Sequence, residues 1–292
     1  MKLRVESKRA HVALLHLVVF IFGFTAILGK LIETPSDQLV LWRMLIAAAG
    51  IAAFGYLSGI IRKSLWLNAH RYALVGLVIA AHWITFFEAV KVSNVSVTLA
   101  CMSAATLFTA LIEPLAFKRR LHLGELLLGL AVIFGLGLIF SFESQYALGI
   151  AYALSSAFLA ALFNVLNGTF IRHDNPIRIS LVEMISGSLA ILLWLAFRGK
   201  LGTELFSMPA MDWVWIALLG TLCTAFAFVA SVRVMRVLTP FTVSLSINLE
   251  PVYGILLALL IFGESEKMSG GFYAGTAVLL AAIFVNARMR AN

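Results

Sequence analysis

Apolar residues form ten long segments along the chain, and each segment ends at a short run of polar or charged residues. The segments cover residues 11–32, 38–58, 72–91, 95–117, 123–141, 147–170, 178–198, 212–236, 240–262 and 270–287. A helix needs about 20 predominantly apolar residues to cross a bilayer, and every segment is close to that length. The pattern therefore predicts an all-α membrane protein with ten transmembrane helices.

The same pattern of helices and breaks occurs twice, at an offset of about half the chain. The short basic turn Lys91-Val92 recurs 145 positions later as Arg236-Val237, with a similar order of apolar segments on both sides and no gap. The sequence therefore predicts two related halves, residues 1–146 and residues 147–292, with five helices each. Because five is odd, the second half must enter the membrane from the opposite side, so we expect inverted repeats.

Composition agrees with a membrane location and argues against other classes. Hydrophobic residues make up 62% of the chain, charged residues make up 12%, and the mean hydropathy is +0.99. A soluble domain would carry about 25% charged residues. The net charge of +8 does not indicate nucleic-acid binding, because the basic residues lie in short runs between apolar segments. The two cysteines, Cys101 and Cys223, lie inside apolar segments and predict neither a disulfide framework nor a thiol metal site.

The distribution of basic residues predicts the orientation in the membrane. If the ten helices alternate in direction, 16 of the 22 Lys and Arg residues fall on the side of the amino terminus. Five fall on the opposite side, and Arg43 lies inside a helix. Basic residues are enriched in cytoplasmic loops, so we expect both termini in the cytoplasm of a multi-pass protein of the plasma (inner) membrane.

Three stretches carry a resemblance to a known family: Leu41–Ala48 (LWRMLIAA), Ala104–Leu121 (AATLFTALIEPLAFKRRL) and Leu249–Glu264 (LEPVYGILLALLIFGE). With them the chain resembles the drug/metabolite transporter superfamily, specifically its ten-helix type with two EamA domains. The resemblance implies export of small metabolites, often amino acids, without ATP hydrolysis. The first half departs from the pattern, since it has Ala105-Thr106 where the second half has Glu250-Pro251.

Two pairs of charged residues lie at corresponding places in the predicted helices of the two halves, where a charge is costly and needs a reason. Arg43 and Glu88 lie on the second and third helices, and Glu183 and Arg233 are their counterparts in the second half. The charges change sign between halves, but each half keeps one of each. We therefore predict two ion pairs, Arg43–Glu88 and Glu183–Arg233, that act as a scaffold or a gate. Direct contact with substrate and no pairing at all are the alternatives for the same residues.

Glu250 and Pro251 lie near the middle of the ninth predicted helix. A proline inside a helix leaves a carbonyl without its usual partner and favours a kink, so Pro251 is predicted to kink this helix. A carboxylate at that depth could bind a substrate amino group or carry a coupling proton. The alternative is a neutral or hydrogen-bonded Glu250 that stabilises the bend.

Other polar and aromatic residues are candidates for a substrate cavity near the midplane. The third helix carries an imidazole and two rings, of which His82 and Phe86 share a face because they are one turn apart. The full candidate list, with Glu250, is His82, Trp83, Phe86, Ser103, Thr106, Asn164, Asn167, Ser246 and Asn248. Neutral polar side chains also join membrane helices without any functional role, which is the alternative reading for each serine, threonine and asparagine.

The sequence thus predicts a secondary transporter rather than an enzyme. We expect it to export small polar metabolites, with amino acids as the favoured class, by alternating access at a midplane cavity. The lipid bilayer and a small-molecule substrate are the expected partners. Coupling to protons, coupling to another gradient and facilitated transport stay open, as does the oligomeric state. No cofactor or metal is expected, because Walker A, HExxH and paired Cys-x-x-Cys motifs are absent from the sequence. Transport of a nucleotide derivative or a cationic drug is the alternative, and a membrane-embedded lipid-modifying enzyme is a weaker one.

Overall fold

The computed structural model describes residues 8–60, 69–118, 123–235, 237–239, 243, 246–247 and 249–291. Throughout these ranges the chain is helical, with short turns and no β-strand. The α-helices are α1 (Lys8–Leu31), α2 (Ser36–Leu57), α3 (Ala69–Val92), α4 (Val95–Met102), α5 (Ala105–Phe117), α6 (Leu123–Phe142), α7 (Ala147–Phe170), α8 (Pro176–Phe197), α9 (Ala210–Gly220), α10 (Ala227–Val234), α11 (Glu250–Phe262) and α12 (Gly270–Ala291).

These helices coincide with the predicted apolar segments. Within the described ranges, seven stretches are long and apolar enough to cross a membrane: α1, α2, α3, the pair α4–α5, α7 with its preceding turn, α8, and the stretch from α9 to α10. Shorter apolar helices within α6 and α12 occupy the fifth and tenth predicted positions, and α11 lies in the ninth. The prediction of an all-α membrane protein is confirmed.

The helices of the two halves correspond in length. Helices α2 and α8 each have 22 residues, and α5 and α11 each have 13. The residue that follows α5, Lys118, and the residue that follows α11, Gly263, both have a positive φ angle, 51° and 58°. The chain is therefore built from two repeats of the same set of helices.

The fourth segment of each repeat is interrupted at an equivalent position. In the first repeat, Ser103 and Ala104 form a turn between α4 and α5. In the second repeat, the chain turns at Leu249 and α11 begins at the next residue. Ala104 and Leu249 are 145 positions apart, the offset predicted from the sequence.

This interruption corrects the predicted kink at Pro251. Pro251 is the second residue of α11, and it lies in the first turn of a helix rather than inside a continuous one. The first N–H groups of a helix have no partner within it, so proline is well accommodated there. The segment is broken before Glu250, and Pro251 starts the new helix.

The closest packing joins one repeat to the other. Helix α3 packs against α7 and α8, α2 packs against α8, and α5 packs against α7. Helices α6 and α12 pack mainly on each other, beside the main bundle. The centre of the molecule is consequently formed by both repeats.

Candidate functional site

A cavity lies between the two helix breaks. The first break contributes Met102, Ser103 and Ala105 to its lining, and the second contributes Ile247, Glu250 and Pro251. Its wall is largely aromatic, with Phe22, Trp83, Phe86, Phe163 and Phe228. The polar side chains in the lining are Thr25, Arg43, His82, Ser103, Asn164, Ser231 and Glu250. Apolar walls with a few placed polar groups are typical of sites for small molecules.

The structure brings most of the predicted site residues together. His82, Trp83, Phe86, Ser103, Asn164, Glu250 and Pro251 all line the cavity, and so does Arg43. Thr106 and Asn167 are buried and Ser246 is partly buried, but they lie outside this lining. Asn248, the remaining candidate, lies outside the described residues.

Arg43 is the most buried cation of this cavity, with 2% of its surface exposed. Its Nε donates a hydrogen bond of 2.7 Å to Thr224 Oγ1. The guanidinium carbon lies 4.0 Å from the centre of the Trp83 ring, which is close enough for a cation–π contact. Its Nη1 has no hydrogen-bond partner in the described part of the chain. The guanidinium is therefore held on one edge and one face.

His82 is held by Ser156 on α7. The ring Nδ1 lies 2.9 Å from the carbonyl oxygen and 2.8 Å from the hydroxyl of Ser156, and that hydroxyl donates to the His82 carbonyl at 3.0 Å. With its proton on Nδ1 the ring donates to the Ser156 carbonyl, and with its proton on Nε2 it accepts from the Ser156 hydroxyl. Phe163 packs beside the ring, with centroids 5.3 Å apart. The imidazole in the cavity lining is thus held in one orientation by α7.

Glu250 contributes the carboxylate of the cavity. It is partly buried, and its side chain has no hydrogen-bond partner in the described ranges. Glu250 and Arg43 both line the cavity, and they do not form an ion pair with each other. The cavity consequently holds one acidic and one basic group, both with capacity for a ligand.

The two predicted ion pairs are not formed in this conformation. Arg43 binds Thr224 instead of Glu88, which is partly buried one turn from Lys91. Glu183 is fully buried, with both carboxylate oxygens free of hydrogen bonds to described residues, while the Arg233 side chain is exposed. Asn167 of α7 lies beside Glu183, and its amide atoms also lack a hydrogen-bond partner among the described residues. Pairing of these residues in another state of the protein stays a prediction.

Sequence reasoning missed Thr224, the partner of Arg43. It lies in a turn of π-helix, Thr221–Phe226, between α9 and α10. Such wide turns are rare and occur frequently at functional sites. The hydroxyl of Thr224 donates to the carbonyl of Leu219 at 2.7 Å, so its oxygen is oriented to accept from Arg43. The sequence carries no local signal for a π-turn at this place.

Glu266 was also missed, although it is fully buried. It follows α11 and reaches the first repeat, where it accepts hydrogen bonds from the N–H groups of Val95 (3.1 Å) and Ser96 (2.9 Å) at the start of α4. The Ser96 hydroxyl donates to it at 2.8 Å and Lys30 Nζ at 2.6 Å. A carboxylate suits a helix N-terminus, because the free N–H groups there carry partial positive charge.

A second contact lies at the same end of the bundle. Asp212, at the start of α9, accepts hydrogen bonds from the Thr34 N–H (2.8 Å) and hydroxyl (2.6 Å). Lys91 donates to the Thr34 carbonyl. We call Lys30, Thr34, Lys91, Asp212 and Glu266 the Glu266 cluster. It ties the two repeats together at this end.

The opposite end has a smaller contact between the repeats. The Tyr72 hydroxyl, at the start of α3, donates to Asp174 at 2.9 Å. Asp174 also pairs with Arg178 one turn away, at 2.9 Å. Each end of the bundle is thus linked across the repeats by buried or partly buried polar groups.

Two repeats of membrane helices, with interrupted segments that meet at a buried polar cavity, define a membrane transporter architecture. The model of the EamA-like transporter family matches the chain twice, over residues 10–141 and 147–288. The chain belongs to the EamA-like transporter family. This membership points to a transporter rather than an enzyme.

Known proteins with overall similarity agree with this assignment. The chain is 20% identical over 263 residues to a protein of Bacillus subtilis (strain 168) named "Uncharacterized transporter YxxF", covering 87% of this chain and 83% of that protein. It also resembles a solved structure titled "Crystal structure of protein", with a TM-score of 0.69 and 16% identity. That match covers 96% of this chain and 97% of the other, and it shows a shared fold.

Proposed function

We propose that this protein is a secondary transporter that exports small polar metabolites, with amino acids as the favoured class. The observation that carries the proposal is the cavity at the two repeat-equivalent helix breaks. Transporters built from repeats bind their substrates at such breaks, near the middle of the membrane. Glu250 stands at one break and would receive the ammonium group of an amino acid, since a carboxylate pairs well with an amine in a dry site.

The proposed mechanism is alternating access, in which helices of both repeats rock around the cavity. The orientation expected from the basic residues puts both termini in the cytoplasm, with the two halves (1–146 and 147–292) inverted in the plasma (inner) membrane. The Glu266 cluster then lies at the outer end, and Tyr72 with Asp174 lies at the cytoplasmic end. Release to the outside would require the contacts of the Glu266 cluster to separate.

A proton gradient is the proposed driving force, with Glu250 as the group that exchanges the proton. Arg43 shares the cavity with Glu250, so its charge would influence that exchange. Substrate and proton could then compete for one carboxylate, which is a simple way to couple their movements in opposite directions.

The test is uptake of a panel of radiolabelled amino acids by proteoliposomes, with and without a pH gradient. The variants are Glu250→Gln and, as a matched control, Glu264→Gln, whose exposed carboxylate pairs with Lys267. We expect saturable uptake of some amino acids, stimulation by the gradient, loss of that stimulation with Glu250→Gln, and no change with Glu264→Gln.

Other results would redirect the proposal. No uptake of any amino acid would exclude the favoured class, and the same vesicles would then be tested with a cationic drug and with a nucleotide derivative. Uptake that the gradient stimulates equally in the Glu250→Gln variant would exclude Glu250 as the coupling group.

A further inference from the structure

Arg43 has hydrogen-bonding capacity that the described residues do not use. Two of its features are fixed: Nε is bound to Thr224, and the guanidinium face lies over Trp83. Nη1 lacks a partner among the described residues, although only 2% of the side chain is exposed. A buried cation with an unused donor is unfavourable unless it meets an anion or another acceptor.

The described residues do not supply that anion. Arg43 binds Thr224, and it forms no ion pair with Glu88 or Glu250. Thr224 is a neutral acceptor whose own proton is used by the Leu219 carbonyl. An anion that reached the guanidinium would therefore come from the cavity, which Arg43 lines.

The fixed contacts also prepare the guanidinium for an anion. Thr224 and Trp83 hold the plane of the group, so little side-chain freedom remains to be lost when a ligand binds. A planar guanidinium matches the two oxygens of a carboxylate and binds them with parallel hydrogen bonds. Lysine could not reproduce this geometry, because its ammonium group is a compact point charge.

We propose that Arg43, held by Thr224 and Trp83, is the binding site for the carboxylate group of the transported molecule. This inference rests on the proposed function, because it assigns a part of the same cavity. With Glu250 on the other side, the cavity selects small molecules that carry both a carboxylate and an amine. The aromatic wall, including Phe163 and Phe228, accommodates an apolar remainder.

The contributions of the carboxylate and of the amine to binding are measured separately with three ligands. They are leucine, isocaproate (leucine without its amine) and isoamylamine (leucine without its carboxylate). Their binding to the purified full-length protein in detergent is measured by calorimetry for wild type, Arg43→Lys and Arg43→Gln. Arg198→Gln, which removes a guanidinium at the end of α8, is the control. Arg43→Lys keeps the charge, so it tests the carboxylate geometry even if Arg43→Gln does not fold.

We expect both Arg43 variants to bind leucine and isocaproate about tenfold or more weakly, because a hydrogen bond to a charged group is lost. The affinity for isoamylamine should stay unchanged. The subsite would be excluded if wild type and both variants bound isocaproate with equal affinity. It would also be excluded if wild type bound neither leucine nor isocaproate. The outcome for transport is separate. If carboxylates bind through Arg43 but no amino acid is taken up, the carboxylate subsite stands and the proposed function is excluded. If amino acids are taken up and Arg43→Lys does not change that uptake, the proposed function stands and the subsite is excluded.

Discussion

Arg43 and Glu183 occupy the same position in two repeat-related helices, since each is the eighth residue of a 22-residue helix, α2 or α8. Both are buried, with 2% and 0% of their surface exposed, and their charges are opposite. Arg43 lines the cavity and is held by Thr224, whereas Glu183 lies outside the cavity lining and has no hydrogen bond to a described residue. The two repeats therefore share the same helix positions, but they carry side chains of opposite charge at this position.

Replacing Glu183 by glutamine is expected to stabilise the protein. A buried carboxylate without a hydrogen bond is unfavourable, and a glutamine of similar shape could pair with the amide of Asn167. We expect a gain of about 1–3 kcal/mol in the free energy of unfolding. Thermal unfolding in detergent measures it, with Glu183→Ala as the comparison that removes the side chain and leaves a cavity. A lower melting temperature for Glu183→Gln than for wild type would show that the charge itself is needed.

Replacing Thr224 by valine is expected to weaken carboxylate binding without unfolding the protein. Valine has nearly the shape of threonine, but it cannot accept the hydrogen bond from Arg43 Nε. We expect a loss of about 1.5–3 kcal/mol in the free energy of isocaproate binding, the range for a hydrogen bond to a charged group. Calorimetry with isocaproate measures the change in affinity.

The control for Thr224→Val is Thr221→Val in the same π-turn, because the Thr221 side chain is exposed and its hydroxyl donates to the Ala217 carbonyl in its own helix turn. Equal affinities of the two variants for isocaproate would mean that Thr224 does not hold Arg43 in a binding geometry.

Replacing Glu266 by glutamine is expected to loosen the Glu266 cluster. The amide keeps the shape of the side chain but loses the charge that pairs with Lys30 and faces the start of α4. We expect a loss of about 1.5–3 kcal/mol in the free energy of unfolding, the range for hydrogen bonds to charged groups. Thermal unfolding measures the loss, and Glu264→Gln on the exposed surface should leave the melting temperature unchanged. Identical melting curves for both variants would contradict a structural role of the buried carboxylate.

Replacing Gly275 by alanine is expected to separate α6 from α12. A Cβ atom at Gly275 would lie 2.7 Å from the carbonyl oxygen of Gly135, closer than side-chain atoms approach such groups. Forcing a methyl group into this contact should lower the free energy of unfolding by about 1–3 kcal/mol. Gly137→Ala is the matched control, since a Cβ atom there meets nothing within 4 Å. Thermal unfolding of both variants compares them, and equal stability would show that α6 and α12 adjust without cost.

The sequence by itself determined the class, the helices and the repeat. Membrane helices are visible in a sequence because their length and apolar character are set locally by the bilayer. The offset between Lys91 and Arg236 reappears between the helix breaks at Ala104 and Leu249. Several cavity residues were also predictable, because His82 and Phe86 share one face of one helix.

Only the tertiary structure decided which polar groups meet. Arg43 was predicted to pair with Glu88 within its own repeat, but it binds Thr224 of the other repeat. Glu266 likewise reaches from one repeat to the start of α4 in the other. The physical reason is that α2 and α3 pack on helices of the opposite repeat. Contacts between residues about 170–180 positions apart depend on that packing, and no local pattern of hydrophobic and polar residues records it.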